Sequence, residues 1–362
     1  MLDANYFRAL VSGRQRGWHA SILRAGLLLG EFPYGCAVRW RNWRFTTGKR
    51  EVHQVAVPVI SVGNLTVGGT GKTPMVEWLA RWFRERGVRV ALVSRGYGAE
   101  AGSQNDEALE LEKKLPDVPH LQNPDRVEAA RTAIDEFETQ LIVLDDAFQH
   151  RRIHRDLNIV LIDALEPFGY GHLLPRGLLR EPIANLKRAD VIVLSRADAV
   201  AVAARATIRA KAMKYAPQAA WLEVAHQPKS LLSSTGSESP IDSLQGQRVA
   251  AFCGIGNPAG FRHTLGELGA DVVELREFPD HHAYHRDDID DLVTWTRGLD
   301  VHAVICTHKD LVKIGVDQVG GCPLFALRIG LAITQGADEL NARLESIISA
   351  IEVPADGASD AV

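Results

Sequence analysis

The chain has little cysteine, with Cys36, Cys253, Cys306 and Cys322 the only four in 362 residues. No two of them show C-x-x-C spacing, which excludes the usual zinc and redox arrangements, and their apolar surroundings read as buried free thiols of a reducing cytoplasm. Neither sign of charge is in large excess. Against 41 Lys and Arg stand 45 Asp and Glu, a formal net charge of -4. That balance provides no general cationic field and argues against nucleic acid as a partner. There is no stretch of about 20 uncharged apolar residues, as a membrane-spanning helix requires. A small-residue cleavage signal is missing as well, and so is any repeat of solenoid period. With 46% hydrophobic and 24% charged residues, what remains is ordinary soluble composition, in a chain long enough for two domains.

What is present starts with "VPVISVGNLTVGGTGKTP", Val57 to Pro74. A β-branched strand runs into glycines, then into Lys72, Thr73 and the helical pattern "MVEWLARWF". Such a turn points backbone N–H groups at an anion, and the helix dipole adds to the pull. The spacing G-x-x-x-x-G-K-[ST] is met at Gly71, Lys72 and Thr73, with Thr66 where the first glycine is usual. The candidate phosphate-binding loop is therefore Thr66, Val67, Gly68, Gly69, Thr70, Gly71, Lys72 and Thr73. The alternative is a glycine turn beside an ordinary surface lysine.

Further apolar runs, "VRVALVS", "LIVLDD", "NIVLID" and "DVIVLS", alternate with helical stretches. This rhythm predicts an α/β fold with a parallel sheet covered by helices on both faces. "PKSLLSSTGSESPIDSLQGQ" is rich in Ser, Gly and Pro and reads as a linker over 230–247. Beyond it "RVAAFCGIGNPAGF", "DVVELREF", "HAVICTHKD" and "PLFALRIG" predict a smaller α/β domain over 248–353, and 354–362 reads as a frayed tail. The first fifty residues carry nine Arg or Lys against Asp3 and Glu31, interleaved with Trp18, Phe32, Tyr34, Trp40, Trp43 and Phe45. They predict an amphipathic arm, 1–50, lying in a membrane interface. The alternative is a basic helix packed on the main domain, 51–229.

Carboxylates at the end of "LIVLDD", Asp145 and Asp146, stand where a strand's C-terminal edge suits a hard cation such as Mg²⁺, bridged to the phosphates from Thr73. His150, Arg151 and Arg152 follow and are candidates to face phosphate or a polar substrate. In "SQNDEALELEKK", Asp106 and Glu107 fit helix caps equally well. In "FPDHHAYHRDD", Asp280, His281, His282 and His285 lack the H-x-x-x-H spacing of a zinc helix, and a His paired with a carboxylate for proton transfer fits better. "LLPRGLLREP" adds Arg176, Arg180 and Glu181.

"SVGNLTVGGTGKTP", "SRGYG", "DDAFQHRRIHRDLNIVLID", "LLPRGLLREP", "NLKRAD" and "FPDHH", in this order from about Leu23 to Lys309, resemble the tetraacyldisaccharide 4'-kinases of lipid A biosynthesis. In that family a Thr opens the loop, as Thr66 does here. The resemblance implies a P-loop NTPase-like domain and an ATP- and Mg²⁺-dependent enzyme. It would phosphorylate the 4'-hydroxyl of a tetraacylated disaccharide 1-phosphate, yielding the 1,4'-bisphosphate lipid IVA. The setting implied is the cytoplasmic face of the inner membrane, with the acylated lipid and the membrane surface as partners and no protein partner. Lys72 and the loop amides would hold the β- and γ-phosphates, and Thr73, Asp145 and Asp146 the metal. Asp106 would take the hydroxyl proton, oriented by His281. Arg180 and Glu181 would lie near the transferred phosphoryl, and His150 matches the family's Q-H pair. Ala147 and Asn105 stand where glycines are usual in the family. The runner-up is a GTP- or ATP-driven switch protein of the metal- or membrane-cargo-delivery class, to which "SRAD", Ser195 to Asp198, bears a partial likeness. It lacks that class's early loop lysine and its full guanine-reading pattern.

Overall fold

The structure, a computed structural model, describes residues 4–96, 111–256, 258–279 and 282–352. Two compact units divide it, Met1–Ala225 with Leu331–Val362, and His226–Gly330.

The first unit is built on β1 (Val59–Asn64), β2 (Val90–Ser94), β3 (His120–Gln122), β4 (Leu141–Leu144), β5 (Leu157–Asp163), β6 (Val191–Ser195) and the start of β7 (Ala220–Ser233). Their order is β7-β6-β5-β1-β4-β2-β3, and every neighbouring pair is parallel. Because both faces of such a sheet are covered, its strands are apolar throughout rather than alternating. All six residues of β1 are buried, Ser61 and Asn64 included. β1 lies between β4 and β5, so whatever follows it emerges mid-sheet.

Two helices precede the sheet, α1 (Ala4–Val11) and α2 (Trp18–Thr46). After β1 comes α3 (Lys72–Arg84), whose Met75, Val76, Leu79, Ala80 and Phe83 form one apolar face against the sheet. On the sheet's flank lies α4 (Arg126–Phe137), capped by Asp125, whose side chain accepts the Val127 N–H at 3.1 Å. Helix α5 (Val202–Met213) adds Ile208 and Ala212 to the core near β6.

Helix α2 packs one face inward through Ala20, Gly35, Val38, Asn42 and Phe45. Polar contacts fix it. Glu31 accepts the Leu173 N–H at 2.8 Å and lies 3.0 Å from His172 Nδ1, while the Tyr34 hydroxyl donates to the Arg180 carbonyl at 2.9 Å. Its other face stays bare, so the packed-helix alternative describes the inward side of α2. Cys36 lies on the bare side and is exposed, against the expectation of a buried thiol, whereas Cys253 and Cys306 are buried.

The second unit has β9 (Arg248–Cys253), β10 (Asp271–Glu277), β11 (Ala303–Thr307) and β13 (Cys322–Gln335) in the parallel order β10-β9-β11-β13, with the short β12 (Gln318–Val319) antiparallel to β13. Helices α6 (Pro258–Glu267), α7 (Arg286–Arg297) and α8 (His308–Ile314) complete it. The stretch expected to be a linker, 230–247, is instead ordered within this unit. The end of β7 pairs antiparallel with β8 (Glu238–Pro240), and a 3₁₀ turn at Ile241–Leu244 follows. Its Ser and Gly content serves the turn, where Gly236 adopts φ 86° and the Ser233 hydroxyl accepts the Ser237 N–H. Nor is the second unit the continuous 248–353. From Leu331 the chain belongs to the first unit, where α9 (Ala337–Glu352) packs Leu340, Leu344 and Ile347 into the same core as α3. Residues 354–362 lie outside the described residues.

Gly63 shows how tightly the sheet's centre is built. A Cβ there would lie 2.6 Å from the Phe148 backbone nitrogen and 2.7 Å from its Cβ. Gly63→Ala must therefore push the turn after β4 away from β1, and chemical denaturation should show a loss of about 2 kcal/mol, as for overpacked cores.

Candidate functional site

The loop after β1 is held from two sides. On one, Asn64 Nδ2 donates to Thr70 Oγ1 at 2.9 Å. On the other, the Val67 N–H donates to the Leu178 carbonyl at 2.8 Å, the Arg180 N–H donates to the Leu65 carbonyl at 2.7 Å, and Thr66 bridges Leu179 antiparallel. This pairing explains the missing glycine. Gly68 and Gly71 have φ 118° and 78°, which only glycine adopts freely, while Thr66 is not among the positive-φ residues and lies in a strand-like bridge that favours a β-branched side chain. Gly71 then opens α3, whose first two residues are Lys72 and Thr73.

The same backbone pairing delivers Arg180 to the end of β4. One of its guanidinium nitrogens lies 2.9 and 2.8 Å from the two carboxylate oxygens of Asp146, and Lys72 Nζ lies 3.5 Å from Asp146 Oδ1. Gln149 ties the cluster to β1, with its amide nitrogen on the Asn64 carbonyl at 2.7 Å and its amide oxygen 3.4 Å from Arg180. Burial raises the Asp146 pKa, but Lys72 and Arg180 outweigh it and hold the carboxyl below its usual range. Asp146 has φ 46°, a left-handed conformation that turns the chain sharply after the strand. Its neighbour Asp145 is buried, with Oδ1 accepting the Asp146 N–H at 2.8 Å.

Arg126 was not singled out from the sequence. It is buried at the start of α4 and donates to the carbonyls of Asp145 and Asp146 at 3.0 and 3.1 Å, bracing the turn that aims both carboxylates. A cation in the first turn of a helix opposes the dipole, and that mismatch was the available signal.

Two other candidates behave differently from expectation. Glu181 is 0% exposed, and its Oε2 accepts from Asn42 Nδ2 at 2.9 Å, Asn185 Nδ2 at 2.6 Å and Arg188 at 2.7 Å. With no open surface it cannot touch a transferred group; it fastens α2 to the segment around Pro182. His150 is half-buried with Nε2 shielded and unpartnered, and burial together with Arg126, Arg152 and Arg155 pushes it down to about 4. It is a neutral ring at physiological pH and offers phosphate no charge. Arg151 and Arg152 are occupied as well, the former on the Asn42 carbonyl at 2.9 Å and the latter on Asp125 at 3.0 Å. Asp106, Glu107, Asp280 and His281 lie outside the described residues.

The constellation is thus Lys72, Arg126 and Arg180 around Asp145 and Asp146, one positive charge in excess and facing a glycine loop. Among the described residues no group of three or more His, Cys, Asp or Glu is arranged as a metal cage. Thr73, Asp145 and Asp146 nevertheless offer only hard oxygen donors, which suits a cation like Mg²⁺ that also takes phosphate and water ligands. Fold and site together define a P-loop phosphate-binding protein of the α/β class.

Residues 23–349 match the family described as Tetraacyldisaccharide-1-P 4'-kinase, and the chain belongs to that family. The tetraacyldisaccharide 4'-kinase of Anaeromyxobacter dehalogenans (strain 2CP-C) is 39% identical over 339 residues, covering 88% of this chain and 89% of its own. That of Desulfatibacillum aliphaticivorans is 39% identical over 341 residues, covering 86% and 89%. The crystal structure of LpxK from Aquifex aeolicus in complex with ATP is 30% identical, with a TM-score of 0.70 over 90% of this chain and 99% of that one. These comparisons do not favour the nucleotide-driven switch.

His150 makes the site's acid response predictable. Its pKa in the folded chain, about 4, lies below the ordinary 6.5. As pH falls, the unfolded chain therefore takes up this proton first, and stability declines from about pH 6.5 until the folded ring also protonates near 4. The full shift corresponds to about 3 kcal/mol, and solvent screening of a half-buried ring reduces that to about 2 kcal/mol. Urea titrations of the wild type and His150→Gln at pH 7 and pH 4.5 should show this extra acid loss in the wild type alone.

Proposed function

We propose that the chain is an ATP-dependent lipid kinase that transfers the γ-phosphate of ATP to the 4'-hydroxyl of a tetraacyldisaccharide 1-phosphate. The observation that carries the reading is the convergence of Lys72, Arg180 and Asp146 on the glycine loop of a chain that belongs to this family over nearly its whole length. In the transfer the hydroxyl oxygen bonds to the γ-phosphorus, the bond to the β–γ bridging oxygen breaks, and ADP leaves. Such transition states are loose, so catalysis rests on positioning and on charge stabilisation.

Lys72 and the loop amides hold the β- and γ-phosphates in this reading, and Arg180 meets the charge on the transferred group. Thr73, Asp145 and Asp146 hold Mg²⁺, which when bound neutralises phosphate charge. Asp146 already sits between two cations, which keep its carboxyl ionised over the whole neutral range. Asp106 accepts the hydroxyl proton, and His281 is a second polar residue the transfer needs. Both assignments are supported by the resemblance of their surrounding motifs.

The setting is read from α2. Trp18, Ile22, Ala25, Leu29, Phe32, Cys36, Trp40 and Trp43 recur at three- and four-residue steps and are all exposed, Leu29 at 78% and Phe32 at 73%. That is one continuous apolar stripe on a helix whose opposite face is packed. Arg44 and Lys49 lie over the Trp40 and Trp43 rings at 5.1 and 4.2 Å, bringing cations to the stripe's end where anionic headgroups would lie. Among the described residues no helix is long and apolar enough to cross a membrane. We infer a helix lying in the interface at the cytoplasmic face of the inner membrane, where an acylated substrate resides.

Transfer of label from radiolabelled ATP to tetraacyldisaccharide 1-phosphate in detergent micelles tests the activity, with GTP for comparison; absence of lipid-borne label would refute it. Lys72→Ala and Thr73→Ala should each lower turnover by about a hundredfold or more, as for loss of an electrostatic clamp, with unchanged circular dichroism. Leu29→Glu with Phe32→Glu should reduce sedimentation with anionic vesicles by roughly tenfold while leaving ATP binding intact. Unaltered partitioning would remove α2 from the membrane.

A further inference from the structure

Helix α1 lies outside residues 23–349, the span matched to the family. It is firmly seated all the same. Leu10 and Val11 are 1% and 2% exposed, and the turn that follows is closed by the Ser12 N–H on the Arg8 carbonyl and the Gln15 N–H on the Ala9 carbonyl, both at 3.0 Å. Arg176 Nη1 donates to the Val11 carbonyl at 3.1 Å, and Arg24 Nη1 of α2 donates to the Gln15 carbonyl at 2.9 Å. Arg176 lies two residues before the strip 178–180 that pairs with the phosphate loop at 65–67. Helix α1 is thus fastened to the loop's own support.

One side chain of α1 reaches the loop itself. A Cβ on Gly68 would lie 3.2 Å from Arg8 Nη2, so the guanidinium stands against the open side of a glycine with φ 118°. A larger residue at 68 would press on it. Arg8 is exposed and makes no hydrogen bond or ion pair among the described residues. Glu166, a carboxylate on the same side, is already engaged, since its Oε1 accepts the Tyr170 hydroxyl at 2.6 Å. Burial and Glu166 push that hydroxyl up to about 12, and Arg14 and Arg8 are near enough to oppose them. Lys72 and Arg180 spend part of their charge on Asp146, whereas the charge of Arg8 is uncommitted. A planar fork of donors held beside a row of loop amides is matched by phosphate oxygens.

We propose that Arg8 is a further catalytic residue of the phosphoryl transfer, meeting the terminal phosphate of the nucleotide at Gly68. The proposal rests on the kinase reading above. As the acceptor oxygen bonds to the γ-phosphorus and the bond to the β–γ bridging oxygen breaks, Arg8 keeps all its protons and donates hydrogen bonds to the phosphoryl oxygens. An arginine supplied by the same chain is an established way to stabilise such a transition state. Arg180 stands at Asp146 and Arg8 at Gly68, so neither duplicates the other. Seating α1 in advance means that this donor need not be ordered during the reaction.

Arg8→Ala tests it, and should fold normally because the side chain is exposed. Calorimetric titration of the full chain should show affinity for a β,γ-methylene analogue of ATP falling by roughly fivefold, with affinity for ADP within about twofold of wild type. Single-turnover transfer in micelles should slow by roughly tenfold or more. Arg8→Lys should recover only part of both losses, since a point charge replaces the fork. Equal losses for ADP and the analogue would mean that α1 merely props the loop, and unchanged binding and rate in Arg8→Ala would remove Arg8 from the site. Either result overturns the proposal. So does a raised KM for the lipid alone, which would assign Arg8 to the acceptor's own phosphate. Absence of lipid-borne label from the unaltered chain would overturn the kinase reading instead, and the two failures are distinguishable because the contrast between ADP and the analogue needs no transfer.

Discussion

Asp146 stands 2.8 and 2.9 Å from Arg180 and 3.5 Å from Lys72, and a large part of the first unit is arranged around that one carboxylate. Lys72 reaches it only because Gly71 turns the loop left-handed into α3. Arg180 reaches it only because residues 178–180 pair with 65–67 as a short antiparallel strip. Asp146 itself is in a left-handed conformation that costs about 1 kcal/mol or more for a residue with a Cβ. Arg126 compensates from beneath, donating to the carbonyls on either side of the turn. Two cations sharing one carboxylate leave positive charge over, in front of a row of backbone amides. An anion with several oxygens is the natural complement.

The segment 172–181 couples this charge cluster to the N-terminal helix. Its first residues bind Glu31, the Arg180 carbonyl receives Tyr34, and Glu181 receives Asn42. The N-terminal helix α2 is therefore bonded through a few residues to the arginine that meets the aspartate at the phosphate loop. The glycines along this route reflect close approach. Gly177 could not carry a Cβ, which would lie 2.4 Å from the His172 carbonyl. The packing of α2 and the placement of Arg180 share one set of hydrogen bonds, so the orientation of α2 and that of Arg180 are not independent.

Legibility followed the range of the forces involved. The strands from "VRVALVS" to "DVIVLS", the loop with Lys72 and Thr73, and the paired aspartates were all readable, because each is a local pattern: a fully buried strand is continuously apolar, and a phosphate loop needs its glycines in fixed register. The helical character of the N-terminal stretch was readable from spacing, as in Trp18–Thr46. The hairpin at 230–247 was not, since Ser, Gly and Pro serve a tight turn and a loose linker equally well. The return of the chain to the first unit at Leu331 was equally hidden, because "PLFALRIG" reads as a strand wherever it pairs.

The sequence by itself determined the α/β class, the phosphate loop, the aspartates beside it and the family, because these depend on residues adjacent in the chain or one strand apart. Only tertiary structure decided that Arg180 meets Asp146, that Glu181 is a buried fastening, that His150 is neutral and that Arg126 braces the turn. A charged side chain reads identically in a sequence whether it ends in solvent, on a ligand or on a buried partner. Its role is set by what the fold brings within about 3 Å of it and by how much water remains, and neither is written in its neighbours along the chain.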